Sequence, residues 1–211
     1  MNKISNYLIY LLGAALFVPL FIFRQIGPID FWWWMSLNLV LLMTLVLFTD
    51  PSYKSLVRND IRNNPARKIL IGLASAVALY FVFFAGNYLS RLMFDFAGQG
   101  IEGVYEFKGG AAKTRILLLM MLIIGPGEEL FWRGFVQRNF EDKLGKWKGF
   151  LLAVVFYTGV HIFSGNPMLI LAALVAGLFW GWMFMRYRSL TMNIVSHTVW
   201  DIAVFLVVPF S

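Results

Sequence analysis

Seven long apolar runs, separated by short polar segments, divide the chain along its length. Crossing about 30 Å of hydrocarbon takes roughly 20 helical residues, so runs of this length predict membrane-spanning helices. The pattern therefore predicts an all-α, polytopic transmembrane helix bundle of about seven spans. The runs lie at 7–23, 31–48, 69–94, 116–137, 149–164, 167–185 and 190–209, the fifth being the shortest.

Composition agrees with a membrane protein, because 60% of the residues are hydrophobic, 14% are charged and the mean hydropathy is +0.72. The formal net charge of +7 does not favour nucleic acid as a partner, because the basic residues lie in short segments between apolar runs. Disulfides and thiolate metal sites are excluded by the absence of cysteine. The run 7–23 resembles a signal peptide but is followed by no small-residue cleavage site, which favours a retained first helix.

The basic residues predict the orientation of the chain in a cell membrane. If Lys3 is cytoplasmic, the even-numbered connections are cytoplasmic too, and these hold most of the Lys and Arg residues: Lys54, Arg58, Arg62, Arg67, Lys68, Arg138, Lys143, Lys146, Lys148, Arg186 and Arg188. The opposite side holds Arg24, Arg91, Lys108, Lys113 and Arg115. This asymmetry predicts a cytoplasmic N-terminus and an external C-terminus.

Three polar or aromatic segments carry secondary predictions. The segment 50–64 is expected to form a short surface helix, and the glycine-rich segment 96–112 a flexible loop without regular structure. Trp32, Trp33 and Trp34 are expected to anchor the second span at the headgroup level.

The sixth run carries a stripe of small residues. Ala173, Gly177 and Gly181 recur every four positions, which places them on one helix face and lets a neighbouring helix approach closely. We expect this face to pack within the bundle rather than to form a dimer interface.

The segment 125–134 places three charges inside an apolar run, where an unpaired charge costs at least a few kcal/mol. Glu129 and Arg133 stand at i and i+4 and are expected to pair. Glu128 then remains free to act as a general base. Pro126, between two glycines, is expected to interrupt the backbone hydrogen bonds and admit water.

Both histidines of the chain lie within predicted spans, His161 late in the fifth and His197 in the last, with Asp201 one turn after His197. From the cytoplasmic ends, a rise of 1.5 Å per residue places Glu128 roughly 15 Å deep, His161 roughly 18 Å and His197 roughly 10 Å. These depths predict one intramembrane active site in the cytoplasmic half of the bilayer.

Two kinds of chemistry suit these residues. In one, Glu128 activates water for attack on a carbonyl and the imidazoles hold the developing oxyanion. In the other, a metal is held by His161, His197 and Asp201, with Glu128 as base or further ligand. The cofactor is left open between none and a divalent metal such as zinc.

The ordered motifs of the second half resemble the CPBP family, which includes the type II CAAX prenyl endopeptidases and bacteriocin-processing, Abi-like membrane proteins. The resemblance covers about 116–208. Its motifs are Glu128-Glu129-x-x-x-Arg133-Gly134, a helix ending in His161, Gly177-x-x-x-Gly181 leading to Ser189-Leu190, and His197-x-x-x-Asp201.

The resemblance implies an all-helical intramembrane endopeptidase with its site open toward the cytosol, either glutamate-type or metal-dependent. Three N-terminal spans at 1–114 and a catalytic core of four spans at 115–211 are expected to form one structural domain. By position, the implied roles are catalysis by Glu128, polarisation of water by His161, oxyanion binding by His197 with Asp201, and support from Glu129 and Arg133.

Two residues depart from the family pattern. Tyr157 stands where Phe is usual, which adds a hydroxyl near the site. Asp201 stands where Asn is frequent, and an ionised Asp cannot donate a hydrogen bond to an oxyanion. Asp201 is therefore protonated, orients His197 or ligates a metal.

The expected partners are the lipid bilayer and a peptide or protein substrate, either membrane-associated, prenylated or leader-type. A non-catalytic membrane scaffold or bacteriocin-immunity protein that retains the fold is the alternative. A transporter with Glu128 and Asp201 as proton sites is less favoured, because the sequence shows no pair of broken-helix repeats.

Overall fold

The computed structural model describes residues 3–210, and most of them are helical. No β-strand forms in this part of the chain, where the one extended pairing is an isolated bridge between Ile26 and Ile29. The first half contains α1 Lys3–Phe23, α2 Phe31–Thr49, α3 Tyr53–Arg62, α4 Pro65–Met93 and α5 Ala97–Tyr105, which is followed by a 3-10 turn at Glu106–Lys108.

The second half begins with an uninterrupted helical run at 113–144, which we call the central run. It consists of α6 Lys113–Leu119, a π-helical segment Met120–Ile124, α7 Gly125–Glu128, a second π-helical segment Glu129–Gln137 and α8 Arg138–Leu144. Then follow α9 Lys146–His161, a 3-10 turn Ile162–Ser164, α10 Pro167–Tyr187, α11 Leu190–Ile202 and a π-helical segment Ala203–Val207.

Six helices within residues 3–210 are long and apolar enough to cross a membrane, which confirms an all-α, multi-pass membrane protein. Five of these six are α1, α2, α4, α10 and α11 with its π-helical extension, and the sixth is α9 with its 3-10 turn. The fourth predicted span falls in the central run and is not among them. Its three central charges and its division into α- and π-helical segments set it apart from the other spans.

The central run lies in the core of the bundle. Phe131, Phe135 and Val136 on it are completely buried. Close contact with α11 depends on Gly125, because a Cβ atom there would meet the side chain of Thr198 and lie 3.1 Å from its Cα. Only glycine allows this approach, which brings the charges of the central run next to the polar face of α11.

The small-residue stripe packs inside the bundle, as predicted. A Cβ atom on Gly177 would lie 3.1 Å from the ring of Tyr157, and one on Gly181 would lie 2.9 Å from the ring of Phe150. Both rings belong to α9, so the stripe lets α10 pack closely against α9.

Two of the secondary predictions were wrong. The segment 96–112 is not an irregular loop, because it forms α5 and a 3-10 turn. The Nδ2 of Asn166 donates to the carbonyl of Gly100 at 2.7 Å, which ties α5 to the start of α10. The prediction of an exposed anchor is wrong for Trp32, which is 3% exposed and packs against Phe205, whereas Trp33 is exposed.

The predicted surface helix is present as α3, and Asp60 fixes it to the bundle. Its carboxylate accepts from Lys68 Nζ at 2.6 Å, from the Thr191 amide at 2.7 Å and from the Thr191 hydroxyl at 2.6 Å. Burial raises the pKa of Asp60, but the hydrogen bonds from Lys68 and Thr191 outweigh it and hold this pKa below its usual 3.8.

Replacing Asp60 with Asn is expected to destabilise the protein at neutral pH, with a smaller deficit in acid. Since the folded pKa is lowered, the stabilisation by Asp60 is present above about pH 4 and is lost as the pH falls through the folded value. Thermal unfolding of the unaltered protein and of the Asp60→Asn variant is measured in detergent between pH 7 and pH 3. The difference between their unfolding midpoints should shrink as the pH falls. Asp142→Asn, at an exposed position, is the matched control, and a deficit that stays constant over this range would contradict the prediction.

Candidate active site

The four residues predicted as catalytic line one cavity. Glu128 from the central run, His161 from α9, and His197 and Asp201 from α11 all border a space of about 320 Å³. Each of the four is at least nine-tenths buried. The rest of the lining is mainly apolar, so the fold collects acids and imidazoles from three separate helical elements around one otherwise apolar chamber.

Glu129 is the most fully satisfied charged group of the site. Its Oε1 accepts from Arg133 Nη1 at 3.0 Å and from His197 Nδ1 at 2.7 Å, and its Oε2 accepts from Asn193 Nδ2 at 2.9 Å. The predicted pairing of Glu129 with Arg133 is therefore present. Because donors from both the central run and α11 converge on it, this carboxylate joins the two elements and has little freedom to react.

Glu128 has a different environment from its neighbour. Its side chain borders the cavity, and its Oε2 accepts one hydrogen bond, from the hydroxyl of Tyr157 at 3.2 Å. The ring of Tyr157 lies under the Arg133 guanidinium, which is 4.7 Å from the ring centroid. The hydroxyl that departs from the family pattern thus orients the carboxylate that faces the cavity.

His161 is the last residue of α9 and lies at the far end of that helix from Lys146. Its Nδ1 lies 2.7 Å from the carbonyl oxygen of Tyr157. A carbonyl only accepts, so Nδ1 carries the proton of this bond, which leaves Nε2 as an available acceptor in the neutral ring. The imidazole also packs against the ring of Phe21 at a centroid distance of 4.5 Å.

His197 is held on three sides. Glu129, ionised beside Arg133, accepts from Nδ1, while Nε2 lies 3.5 Å from Oδ2 of Asp201. The indole of Trp180 stacks on the imidazole with centroids 3.7 Å apart and an interplanar angle of 20°. Asp201 therefore faces His197, as one of the three sequence-based options for this residue requires.

The sequence singled out neither Trp180 nor the contact between Asn193 and Glu129. Asn193 was expected to extend the polar face of α11 in a structural role, and its Nδ2 also donates to the carbonyl of Trp180 at 2.8 Å. The indole N–H of Trp180 in turn donates to Ser196 at 3.1 Å. The sequence does not indicate that a tryptophan between apolar residues will contact His197, Asn193 and Ser196, because these contacts depend on how α10 packs against α11.

The residues do not fit the alternative metal arrangement. No group of three or more His, Asp or Glu side chains within residues 3–210 is placed to hold a shared metal ion. His197 has both ring nitrogens turned toward carboxylates, one of which is engaged by Arg133. The geometry therefore provides no ligand set made from His161, His197, Asp201 and Glu128, and we derive no step through a metal.

Fold and site together define a polytopic membrane protein with an intramembrane cavity that holds a carboxylate, two imidazoles and a second acid. Residues 111–203 match the family model described as type II CAAX prenyl endopeptidase Rce1-like. This match confirms the CPBP resemblance over that segment and supports, at the level of the family, a CAAX-type intramembrane protease. No curated protein and no solved structure gave a match.

Proposed function

We propose that this protein is an intramembrane endopeptidase that uses Glu128 to activate water for the hydrolysis of a peptide bond. One observation carries the proposal: Glu128 borders the cavity with a single hydrogen bond, while the adjacent Glu129 is saturated by three donors. A general base needs an available carboxylate oxygen next to the substrate. Of this pair, Glu128 is the carboxylate that meets the requirement.

The reaction follows from these positions. Glu128 accepts a proton from water while the water oxygen bonds to the carbonyl carbon, and Nε2 of His161 accepts a hydrogen bond from the same water. The carbonyl oxygen becomes an oxyanion. Collapse of this intermediate breaks the carbon–nitrogen bond, and the proton held by Glu128 passes to the leaving nitrogen. The second proton of the water stays on the new carboxyl group and then passes to the amine, so the products are a carboxylate and an ammonium ion.

His197 and Asp201 act together on the oxyanion side. Because Nδ1 of His197 donates to Glu129, its Nε2 is the nitrogen that can point toward the oxyanion. Donation from Nε2 requires a proton on both ring nitrogens, and Glu129 and Asp201 face the two nitrogens from opposite sides. Asp201 thus acts by orienting His197, and the remaining support comes from Glu129 and Arg133.

The substrate is a membrane-associated peptide segment, of the prenylated or leader type. The mostly apolar lining suits an apolar group beside the scissile bond.

The excess of basic residues in the even-numbered connections supports a cytoplasmic N-terminus and an external C-terminus.

The proposal is tested with purified protein in lipid vesicles. Membrane peptides incubated with the protein and with its Glu128→Gln variant are compared by mass spectrometry for new termini. Cleavage by the unaltered protein alone is expected, and it should survive a strong chelator. Cleavage by neither protein, or equally by both, would favour the scaffold or immunity alternative. Loss on chelation with recovery on adding zinc would refute the metal-free mechanism.

Tyr157→Phe is expected to lower kcat about ten- to a hundredfold with little change in KM. The change removes only the hydroxyl that orients Glu128, and a hydrogen bond to a charged group contributes about 1.5–3 kcal/mol. Tyr80→Phe, which removes a hydroxyl 3.3 Å from the Val208 carbonyl, is the matched control and should retain full activity. Equal kcat values for the two variants would show that Tyr157 does not position the base.

A further inference from the structure

The cavity extends toward one end of the helix bundle. The central run also crosses the bundle, between α4 and α9, so the long helices and the central run alternate in direction along the chain. The end of α1, the start of α2, the end of α4, the start of α10 and the end of α11 therefore all lie at that end. We call it the Phe210 end. The cavity lining at this end includes Phe21, Phe31, Asn87, Tyr105, Met168 and Phe210.

Contacts between these segments confirm that they meet. The Phe210 amide donates to the hydroxyl of Tyr105 on α5 at 2.8 Å. The guanidinium of Arg24, just after α1, lies 3.4 Å from the carbonyl of Ser164, just after α9. Helix α5 also lies at this end, and its residues Ala97 and Ile101 are buried.

Toward the other end of the bundle, buried side chains close the cavity. The floor is formed by the network of Glu129, Arg133 and Asn193 with Trp180, all of which are at most 2% exposed. Behind it, Gln137 donates to Glu141 at 2.7 Å and to the carbonyl of Gly181 at 2.8 Å. A substrate therefore reaches Glu128 from the Phe210 end.

The lining meets the outer surface of the bundle between α4 and α10. Val82 on α4 and Leu171 on α10 both line the cavity and are also 49% and 43% exposed. Both positions lie in helices that are long and apolar enough to span a membrane. The gap between α4 and α10 thus leads laterally from the hydrocarbon region into the cavity.

Charge distinguishes the two ends of the bundle. The end opposite Phe210, which we call the basic end, holds α3 and the connections from α8 to α9 and from α10 to α11, with most of the Lys and Arg residues of the chain. Helix α3 alone presents Lys54, Arg58 and Arg62 on its exposed side. At the Phe210 end, Arg24 and Arg115 are instead paired with Glu106 and Asp30.

An excess of Lys and Arg in short connections marks the cytoplasmic side of a membrane protein. The basic end is therefore cytoplasmic and the Phe210 end is not. We propose that the cavity receives its peptide from the non-cytoplasmic half of the bilayer, through the gap between α4 and α10. The network of Glu129, Arg133, Asn193 and Trp180 then lies on the cytoplasmic side of the cavity, and the gap between α4 and α10 lies on the opposite side.

The inference rests on the proposed peptidase activity and narrows its substrate class. The peptide is one whose apolar segment lies in the outer leaflet, such as an exported peptide with a leader still in the membrane, rather than a cytosolic chain anchored from inside. It revises the expectation of an active site in the cytoplasmic half. That expectation counted depth from the cytoplasmic helix ends, but His161 lies at the opposite end of α9.

Single cysteine substitutions test on which side of the membrane the cavity opens, because the natural chain has no cysteine. Gln99→Cys on α5 and Asn59→Cys on α3 are a matched pair of exposed amide positions outside the site. A membrane-impermeant maleimide is expected to label Gln99→Cys in intact cells and Asn59→Cys only after lysis. Labelling of Asn59→Cys in intact cells, alone or together with Gln99→Cys, would overturn the proposal. Glu102→Cys, also exposed on α5, replaces Gln99→Cys if that variant does not accumulate.

Access to the cavity is tested with Val104→Cys, since Val104 is a residue of α5 that lines the cavity. Treatment of intact cells with a bulky impermeant maleimide is expected to reduce cleavage of a membrane peptide at least tenfold relative to the same variant untreated. Labelled Gln99→Cys should keep its activity. Unchanged cleavage after complete labelling of Val104→Cys would overturn the route. The labelling pattern needs no activity, so a protein that cleaves nothing would refute the peptidase proposal and leave the sidedness result intact.

Discussion

Glu128→Gln is expected to reduce peptide-bond cleavage about a thousandfold while leaving the fold intact. The amide has nearly the same shape as the carboxylate and can still accept from Tyr157, but it cannot take a proton from water. General base catalysis contributes about 10²–10⁴ in rate, and most of this contribution should disappear. The measurement is kcat for a membrane peptide cleaved by the reconstituted protein, with the thermal unfolding midpoint recorded in parallel.

The control for this change is Glu102→Gln, the same substitution at an exposed position on α5. It should retain full activity, which separates the loss of the base from a general effect of removing a negative charge. If Glu128→Gln retained more than about a tenth of the activity with an unchanged unfolding midpoint, Glu128 would not be the general base.

Arg133→Met is expected to lower the free energy of unfolding by about 3–5 kcal/mol, the range found when one partner of a buried ion pair is removed. The Arg133 side chain is 3% exposed and that of Glu129 is completely buried, so water cannot replace the lost guanidinium. The methionine fills the space of the stem but leaves the Glu129 carboxylate without the guanidinium that pairs with it. Stability is measured by thermal unfolding in detergent.

Arg24→Met provides the comparison, because Arg24 forms an exposed ion pair with Glu106 at 3.8 Å. Exposed pairs contribute about 0–1 kcal/mol, so this variant should be close to the natural protein in stability. A loss for Arg133→Met no larger than that for Arg24→Met would mean that the pair with Glu129 is not what makes the buried charges tolerable.

The features that were predicted correctly from sequence are those set by local spacing. Helix length follows from the length of an apolar run, and the pairing of Glu129 with Arg133 follows from their separation by one helical turn. The packing of the Gly177 face inside the bundle follows from the small-residue period. Each of these predictions depends only on residues that lie a few positions apart in the sequence.

The features that were missed depend on contacts between distant parts of the chain. Asn193 and His197 reach Glu129 only because Gly125 lets the central run and α11 approach closely. Sequence spacing also gave no indication that Tyr157 would bind Glu128 rather than only fill the position of a ring. The π-helical segments on both sides of α7 were missed too, since Pro126 favoured a break and the helical run continues through it.

The stacking of Trp180 on His197 has an entropic consequence. With the indole against one face of the ring, Glu129 on Nδ1 and the indole N–H bound to Ser196, rotation of the imidazole about its Cβ–Cγ bond is restricted. That rotational freedom is lost when the protein folds, not when the peptide arrives. The ring is therefore preorganised, and the entropic contribution to the activation barrier from aligning it is removed in advance.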